Sequence, residues 1–276
     1  MQFRIALRSM SPAYRNSLTP VRIRAVFLAV LACAPAGSVA NAAGAAPCSF
    51  EAQGEGRVAA VIDARSFRLG DGREVRLAGI EPVSPEAARR TGALSAIIDG
   101  RDVTLRADDD APDRYGRQTA FVFVAGAQNS VQAALLAQGE AFAAADTADK
   151  DCSQALLAAE SAGRAAKMGI WASASATKNA ESTGDILAGN GRFMLVEGRV
   201  LSVRQAGATT YLNFGRNWTR DFAVTISRRM LPSLEAAGMP PKSLENRRIR
   251  VRGFIETRTG PRIELLRAGQ LELLVN

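Results

Sequence analysis

The sequence contains no histidine, only three cysteines, and no apolar run long enough to span a bilayer. Without a basic neighbour such as an imidazole, a serine cannot act as a general base at neutral pH. The apolar stretch "AVFLAVLACA" falls short of the roughly 20 residues that a membrane-crossing helix requires. Acids are missing from residues 1–40, which carry Arg4, Arg8, Arg15, Arg22 and Arg24. A basic start, a short apolar core and the small residues after it read as a secretory signal. The expected signal covers residues 1–42, with cleavage after Ala40 or Ala42 and with Met10 as an alternative initiator. The mature chain is then periplasmic or secreted, and lipid anchoring at Cys33 is the lesser alternative. Export leaves Cys48 and Cys152, and an even pair in an oxidising compartment predicts one disulfide. Closing so long a loop would contribute at most about 4–5 kcal/mol.

What is present is a chain of 276 residues, 47% hydrophobic, with room for two small domains and their cores. Charge divides it. Residues 41–189 hold 15 Lys and Arg against 20 Asp and Glu, a net −5, whereas 190–276 hold 15 against 7, a net +8. Attraction to a polyanion is therefore expected mostly from the second half. A soluble basic surface with no partner is the plainer alternative.

The segment "GRVAAVIDARSFRLGDGREVRLAGI" alternates apolar and polar residues and turns at Gly70-Asp71-Gly72, which predicts a hairpin and a third strand. Ser84 suits a helix N-cap, Pro85 the first turn, and Glu86 the positive helix end. Ala87, Thr91, Leu94, Ile97 and Ile98 give that helix an apolar face, and Gly100 ends it. "DVTLRA" and "TAFVFVA" are strands joined through "DRYGR", and helices follow at 130–138 and 152–167. Three strands, a helix and two strands describe a small barrel of the OB type. Residues 173–190, rich in Ala, Ser, Thr, Gly and Asn, read as a linker. The second half repeats the plan with "RFMLVEGRVLSVR", "TTYLNF", "FAVTI", a helix at 227–237, "RIRVRGFIET" and "PRIELL", and "EGRV" recurs at 55–58 and 197–200. The fold class is mainly β with helices (α+β). Two small OB-type Greek-key barrels are expected, the first with two extra C-terminal helices. The expected division is signal 1–42, first domain 48–172, linker 173–190 and basic second domain 191–276.

Residues 54–171 resemble the staphylococcal nuclease (thermonuclease-like) family through "VIDARSFRL", "VRLAGIE", "DRYGR", "SVQAALLAQGEA" and "LLAAESAGRAAKMGIW", in that order and spacing. The second half resembles OB-type domains that follow such nuclease domains in exported bacterial proteins. The resemblance implies phosphodiester hydrolysis. Two arginines hold the phosphoryl oxygens, a glutamate serves as general base, and calcium is held by carboxylates and a carbonyl. Matched by position, Arg76 and Arg117 are the phosphate-binding arginines and Asp63 an aspartate beside the metal. Glu81 takes the place of one calcium-binding aspartate, and the other falls on Arg65. A threonine whose carbonyl contacts calcium falls on Pro82, and the catalytic glutamate falls on Ser84. The phosphate-binding half is retained and the metal-and-base half is altered. A fixed cation at position 65 repels a divalent ion and can bind Glu81 itself. Glu86 would act as a displaced base only if the loop after Glu81 brought it inward. Arg76 has a structural alternative in pairing with Glu81 or Asp63, and Arg117 in bracing the "DRYGR" turn.

In the second half, "YLNFGRNWTRDF" interleaves Tyr211, Phe214 and Trp218 with Arg216 and Arg220, which suits base stacking with phosphate contact. Arg247, Arg248, Arg250 and Arg252 add positive charge. The alternative puts Tyr211 and Phe214 in the core and the alternating arginines on a solvated strand face. The expected nucleic-acid contacts are Tyr211, Arg216, Trp218, Arg220 and Arg250. The expected function is an exported thermonuclease-like protein, weak or inactive as a nuclease and without a cofactor. It would bind single-stranded or duplex nucleic acid, or another anionic or protein partner. The alternatives are an active, calcium-using phosphodiesterase with Arg76, Arg117 and Glu86 or Glu81, and a structural envelope-interaction module.

Overall fold

Alternating side chains wind the first half into a barrel. The computed structural model describes residues 50–109, 111–147 and 149–274. The expected signal segment, Cys33 and Cys48 lie outside the described residues. Strands β1 (Ala52–Asp63), β2 (Ser66–Leu69) and β3 (Glu74–Leu77) form an antiparallel meander that buries Val58, Phe67, Leu69, Val75 and Leu77. After β4 (Ile80–Pro82), α1 (Pro85–Ala88) and α2 (Gly92–Ile98) come β5 (Asp102–Arg106) and β6 (Gln118–Val124). β6 returns parallel to β3, and β5 pairs with the first half of β1, closing the ring β1-β2-β3-β6-β5. β1 serves both edges because it pairs with β5 through Arg57 and with β2 from Val58 onward. Gly56 lies at that changeover, where a Cβ would stand only 3.2 Å from Leu69 Cδ1.

The single helix expected after Ser84 is instead two short ones with a break at 89–91. A glycine in a helix interior costs about 1 kcal/mol relative to alanine, and β-branched Thr91 precedes Gly92, so both residues favour the interruption. Helix α3 (Val131–Ala137) begins at Ser130, whose Oγ accepts from the Ala133 N–H at 3.2 Å. It stops at Gly139, where φ is +70° and a Cβ would meet Met168 O at 2.2 Å. β7 (Ala141–Ala143) pairs with β4 in a separate two-stranded sheet, and α4 (Lys150–Ala165) packs against α3.

The second half comprises β8 (Thr177–Asn179), α5 (Thr183–Leu187), β9 (Phe193–Arg199), β10 (Ser202–Ala206), β11 (Thr209–Asn213), β12 (Ala223–Ser227), α6 (Leu231–Ala236), β13 (Arg248–Thr257), β14 (Pro261–Leu265) and β15 (Leu271–Leu273). Its strands form one eight-stranded sheet ordered β10-β11-β12-β14-β13-β9-β8, with β15 beside β13. Only Val200 and Leu201 separate β9 from β10, so the β9–β10 stretch serves two edges as β1 does. The cyclic order of the first barrel is thereby repeated, with β12 and β14 parallel as β3 and β6 are. The recurring "EGRV" lies on β1 and at the end of the equivalent strand β9, with Val200 just past it. At Gly198 the crowding is greater than at Gly56, because a Cβ would lie 2.4 Å from Ala180 Cβ.

Residues 173–190 are not the linker that their composition predicts. β8 runs parallel beside β9, and α5 buries Ile186 completely. Small residues such as Ala176 and Ala180 seat the segment, so it needs no apolar periodicity. The barrels also share buried material. Phe142, Trp171, Ala176 and Leu195 form one cluster drawn from both. Arg252 of β13, with no exposed side-chain surface, donates to Ala143 O at 2.9 Å and to Glu160 Oε1 at 3.1 Å, and pairs with Glu272. Glu160, on α4, is equally buried and accepts from the Ala143 N–H at 2.9 Å. Ala43–Asn276 accordingly form one compact unit. Among the described residues no helix is long and apolar enough to cross a membrane.

Candidate functional site

The β1–β2 turn and strands β3 and β4 bring the family positions together. Asp63 accepts the Arg65 N–H at 2.8 Å, so its carboxylate is engaged in shaping the turn. Val75 and Leu77 point into the core, which leaves Arg76 between them on the outer face of β3. Glu81 is fixed by the pairing of β4 with β7, opposite Phe142. Arg65 Nη1 then lies 2.5 Å from Glu81 Oε1 and also donates to Ile80 O at 3.2 Å. Arg76 Nη2 is 3.7 Å from the same Glu81 oxygen. Burial, followed by the charge of Arg65, pushes the Arg76 guanidinium below its ordinary range, while Glu81 opposes this. An arginine still stays protonated under such pressure, so the site carries two cations around one carboxylate.

Arg117 is held by its own turn. Its Nε and Nη2 donate to Asp113 Oδ2 at 3.0 and 2.8 Å, and Asp113 Oδ1 accepts the N–H groups of Tyr115 and Arg117. The Arg117 guanidinium, helped by these backbone donors, holds the Asp113 carboxyl down at about 2. Arg76 feels the charges of both Arg117 and Asp113, so the two arginines share one electrostatic neighbourhood. Tyr115, exposed, is flanked by Arg114 and Arg117 at 4.7 and 4.9 Å from its ring centre. Sequence reasoning passed over Tyr115 and Arg114, although "DRYGR" contains both.

Ser84 caps α1, its Oγ accepting the Ala87 N–H at 3.0 Å. Glu86 is exposed in the first turn of that helix, and its own backbone N–H and the Ser84 hydroxyl hold its carboxyl below the usual range. The structure does not bring Glu86 to Glu81. A carboxylate with a lowered pKa is also a poorer base. Among the described residues no three Asp, Glu, Cys or His converge as they would to hold a metal ion.

In the second half, Tyr211 and Trp218 line a cavity of about 520 Å³ together with Arg204, Arg258 and Arg262. Strand pairing assembles it, with Arg204 opposite Tyr211, Tyr211 opposite Thr225, and Ala223 opposite Arg262. Trp218 is 68% exposed. Arg216 and Arg220 are exposed on the same loop but do not line the cavity. Phe214 belongs to the core. Arg250 is a correction. Its register opposite Glu197 and Glu272 aims it at both, with contacts of 2.7 and 2.9 Å, so it is not available on a nucleic-acid surface. Arg252 is likewise buried rather than part of a basic face.

The five-stranded closed barrel, with Arg76 and Glu81 side by side on it, defines an OB-type domain. Residues 75–173 match the family model described as staphylococcal nuclease homologue, so the first barrel is a staphylococcal-nuclease-like domain. The match includes Arg76, Glu81, Ser84 and Arg117, and it begins after Asp63 and Arg65. No curated protein matches the chain.

Proposed function

We propose that this chain is an exported nuclease-like protein that binds nucleic acid without efficient calcium-dependent cleavage. The observation that carries the reading is the 2.5 Å contact between Arg65 and Glu81. Calcium, when bound in such a site, supplies charge neutralisation and a positioned water. Here Arg65 already occupies the carboxylate oxygen that would face the ion, so the residues present do not fit calcium. Ser84 is committed to capping, and no histidine exists to take a proton. Arg76 and Arg117 can still hold phosphate oxygens. The cavity formed by Tyr211 and Trp218, rimmed by arginines, suits an unpaired base and its phosphates. The net +8 of residues 190–276 supports attraction to a polyanion.

A zymogram of the mature chain with and without calcium, run beside salt-dependent oligonucleotide binding, tests this. Binding that weakens with salt and no calcium-stimulated cleavage are expected. Calcium-stimulated hydrolysis abolished by Arg76→Ala would overturn the reading in favour of an active phosphodiesterase.

A further inference from the structure

The Arg65–Glu81 pair, with Pro82 and Ser84, also lines one wall of a cavity of about 440 Å³. Its other walls come from β7, β8, β9 and β13. One side is a row of rings. Trp171 meets Phe142 edge-on at 5.5 Å, Phe142 stands 6.5 Å from Phe193, and Phe193 meets Phe254 edge-on at 5.5 Å. The row runs from buried Phe142 out to Phe254, which is 51% exposed on the cavity wall.

The charge around this wall is unbalanced. Arg65 is neutralised by Glu81. Lys178 on β8 and Arg192 just before β9 also line the cavity; neither forms a salt bridge among the described residues, although the charge of Arg192 reaches Glu86 and helps to lower its carboxyl. Two cations without a salt-bridged carboxylate beside an aromatic surface complement a ligand with one flat apolar part and one anionic part. The volume lies within the roughly 300–1,000 Å³ typical of small-molecule sites, and a concave cleft of that size excludes a duplex.

We propose that this cleft binds a small aromatic anion, its ring lying along Phe193 and Phe254 and its phosphate or carboxylate held by Lys178 and Arg192. Both barrels build the site, and it does not depend on whether Arg76 and Arg117 act on a phosphodiester.

Calorimetric titration of the mature chain with phenyl phosphate tests it, with inorganic phosphate and phenol as single-group comparators. Phenyl phosphate should bind at least about tenfold more tightly than either comparator, because ring and charge are engaged together. With Trp218→Phe in place, Trp171 is the one remaining tryptophan of two, and its emission should change on binding through its contact with Phe142. The double variant Lys178→Met/Arg192→Met should weaken binding about tenfold or more by removing charge-assisted contacts. Phe254→Ala should weaken it about fivefold through lost ring contact. None of these side chains is buried, and unchanged unfolding midpoints would show that the variants remain folded. Absence of phenyl phosphate binding, equal affinity for inorganic phosphate, or unchanged affinity in the double variant would each overturn the proposal.

Discussion

Glu81 Oε1 faces two guanidinia at once, Arg65 at 2.5 Å and Arg76 at 3.7 Å. A carboxylate in that position is already charge-compensated. An arriving divalent ion would have to displace Arg65 and overcome its repulsion. On the proposed reading, such an arrangement would keep attraction for phosphate while removing an open coordination position.

Replacing Arg65 with Asp should therefore allow calcium binding, measured by calorimetry, without turnover. Adding Ser84→Glu should be required for cleavage, because metal and base act on the same transition state. That second change should also cost about 1 kcal/mol of stability through the lost cap. Efficient cleavage by Arg65→Asp alone would show that the base lies elsewhere.

Arg252→Met should be severely destabilising. It leaves the Glu160 carboxylate fully buried and without its cation, a loss of about 3–5 kcal/mol by urea unfolding. Adding Glu160→Gln should recover a large part of that loss, since the amide oxygen can still accept the Ala143 N–H. A loss below about 1 kcal/mol for the single variant would contradict the assigned role.

Acid should weaken the fold in two overlapping stages. Burial works to raise the Glu272 carboxyl, but Arg252 and Arg250 outweigh it and hold the group below its usual 4.5. Asp113 is held at about 2 against its usual 3.8. Both lowered groups stabilise the folded chain above their unfolded values. That contribution is lost as pH falls, from 4.5 downward for Glu272 and from 3.8 toward about 2 for Asp113. Thermal midpoints between about pH 2 and 6 should lose their upper acid step in Glu272→Gln and their lower step in Asp113→Asn. Acid profiles indistinguishable from the unmodified chain would exclude both groups as the source.

Trp218→Ala should weaken binding of a single-stranded oligothymidylate by about 5- to 50-fold, the effect of losing one base-stacking surface. The salt slope should hold, since no phosphate contact is removed. Fluorescence anisotropy reads both quantities. An unaltered affinity would move the nucleic-acid surface away from Tyr211 and Trp218.

Cys48 and Cys152 should be recovered as one linked peptide pair when the mature, unreduced chain is digested and mapped by mass spectrometry. The basis is the even cysteine pair that removal of the proposed signal would leave, and Cys152 is fully buried in α4. Recovery of both as separate alkylated peptides would rule the pairing out.

Local features were legible in the sequence. Ser84 as a cap, Gly139 as a helix stop and the meander around Arg76 depend on neighbours a few residues away. The facing of Arg65 and Glu81 was implied by the family resemblance, which puts both on calcium-binding positions. Features made by distant strands were not legible. In "RIRVRGF" the alternation correctly separates Ile249 and Val251 from the arginines. Nothing in it says that α4 covers the arginine side, because Glu160 lies 92 residues from Arg252. Arg204 and Arg262 are likewise far apart in the chain and meet only through pairing of β10, β11, β12 and β14, joined by Arg258 from the turn between β13 and β14. Residues 173–190 misled for the opposite reason, since small side chains can anchor an edge strand without leaving an apolar pattern.

The buried Arg252–Glu160 contact changes what may be cut from this chain. A nuclease-like barrel is ordinarily thought of as a portable cassette, but one severed after Trp171 would keep Glu160 and lose the cation that accompanies it. The fragment would also bare Phe142 and Trp171, which the other barrel helps to cover through Leu195. Heredity and engineering alike would then have to treat the pair of barrels as a single indivisible part, melting together in one cooperative step.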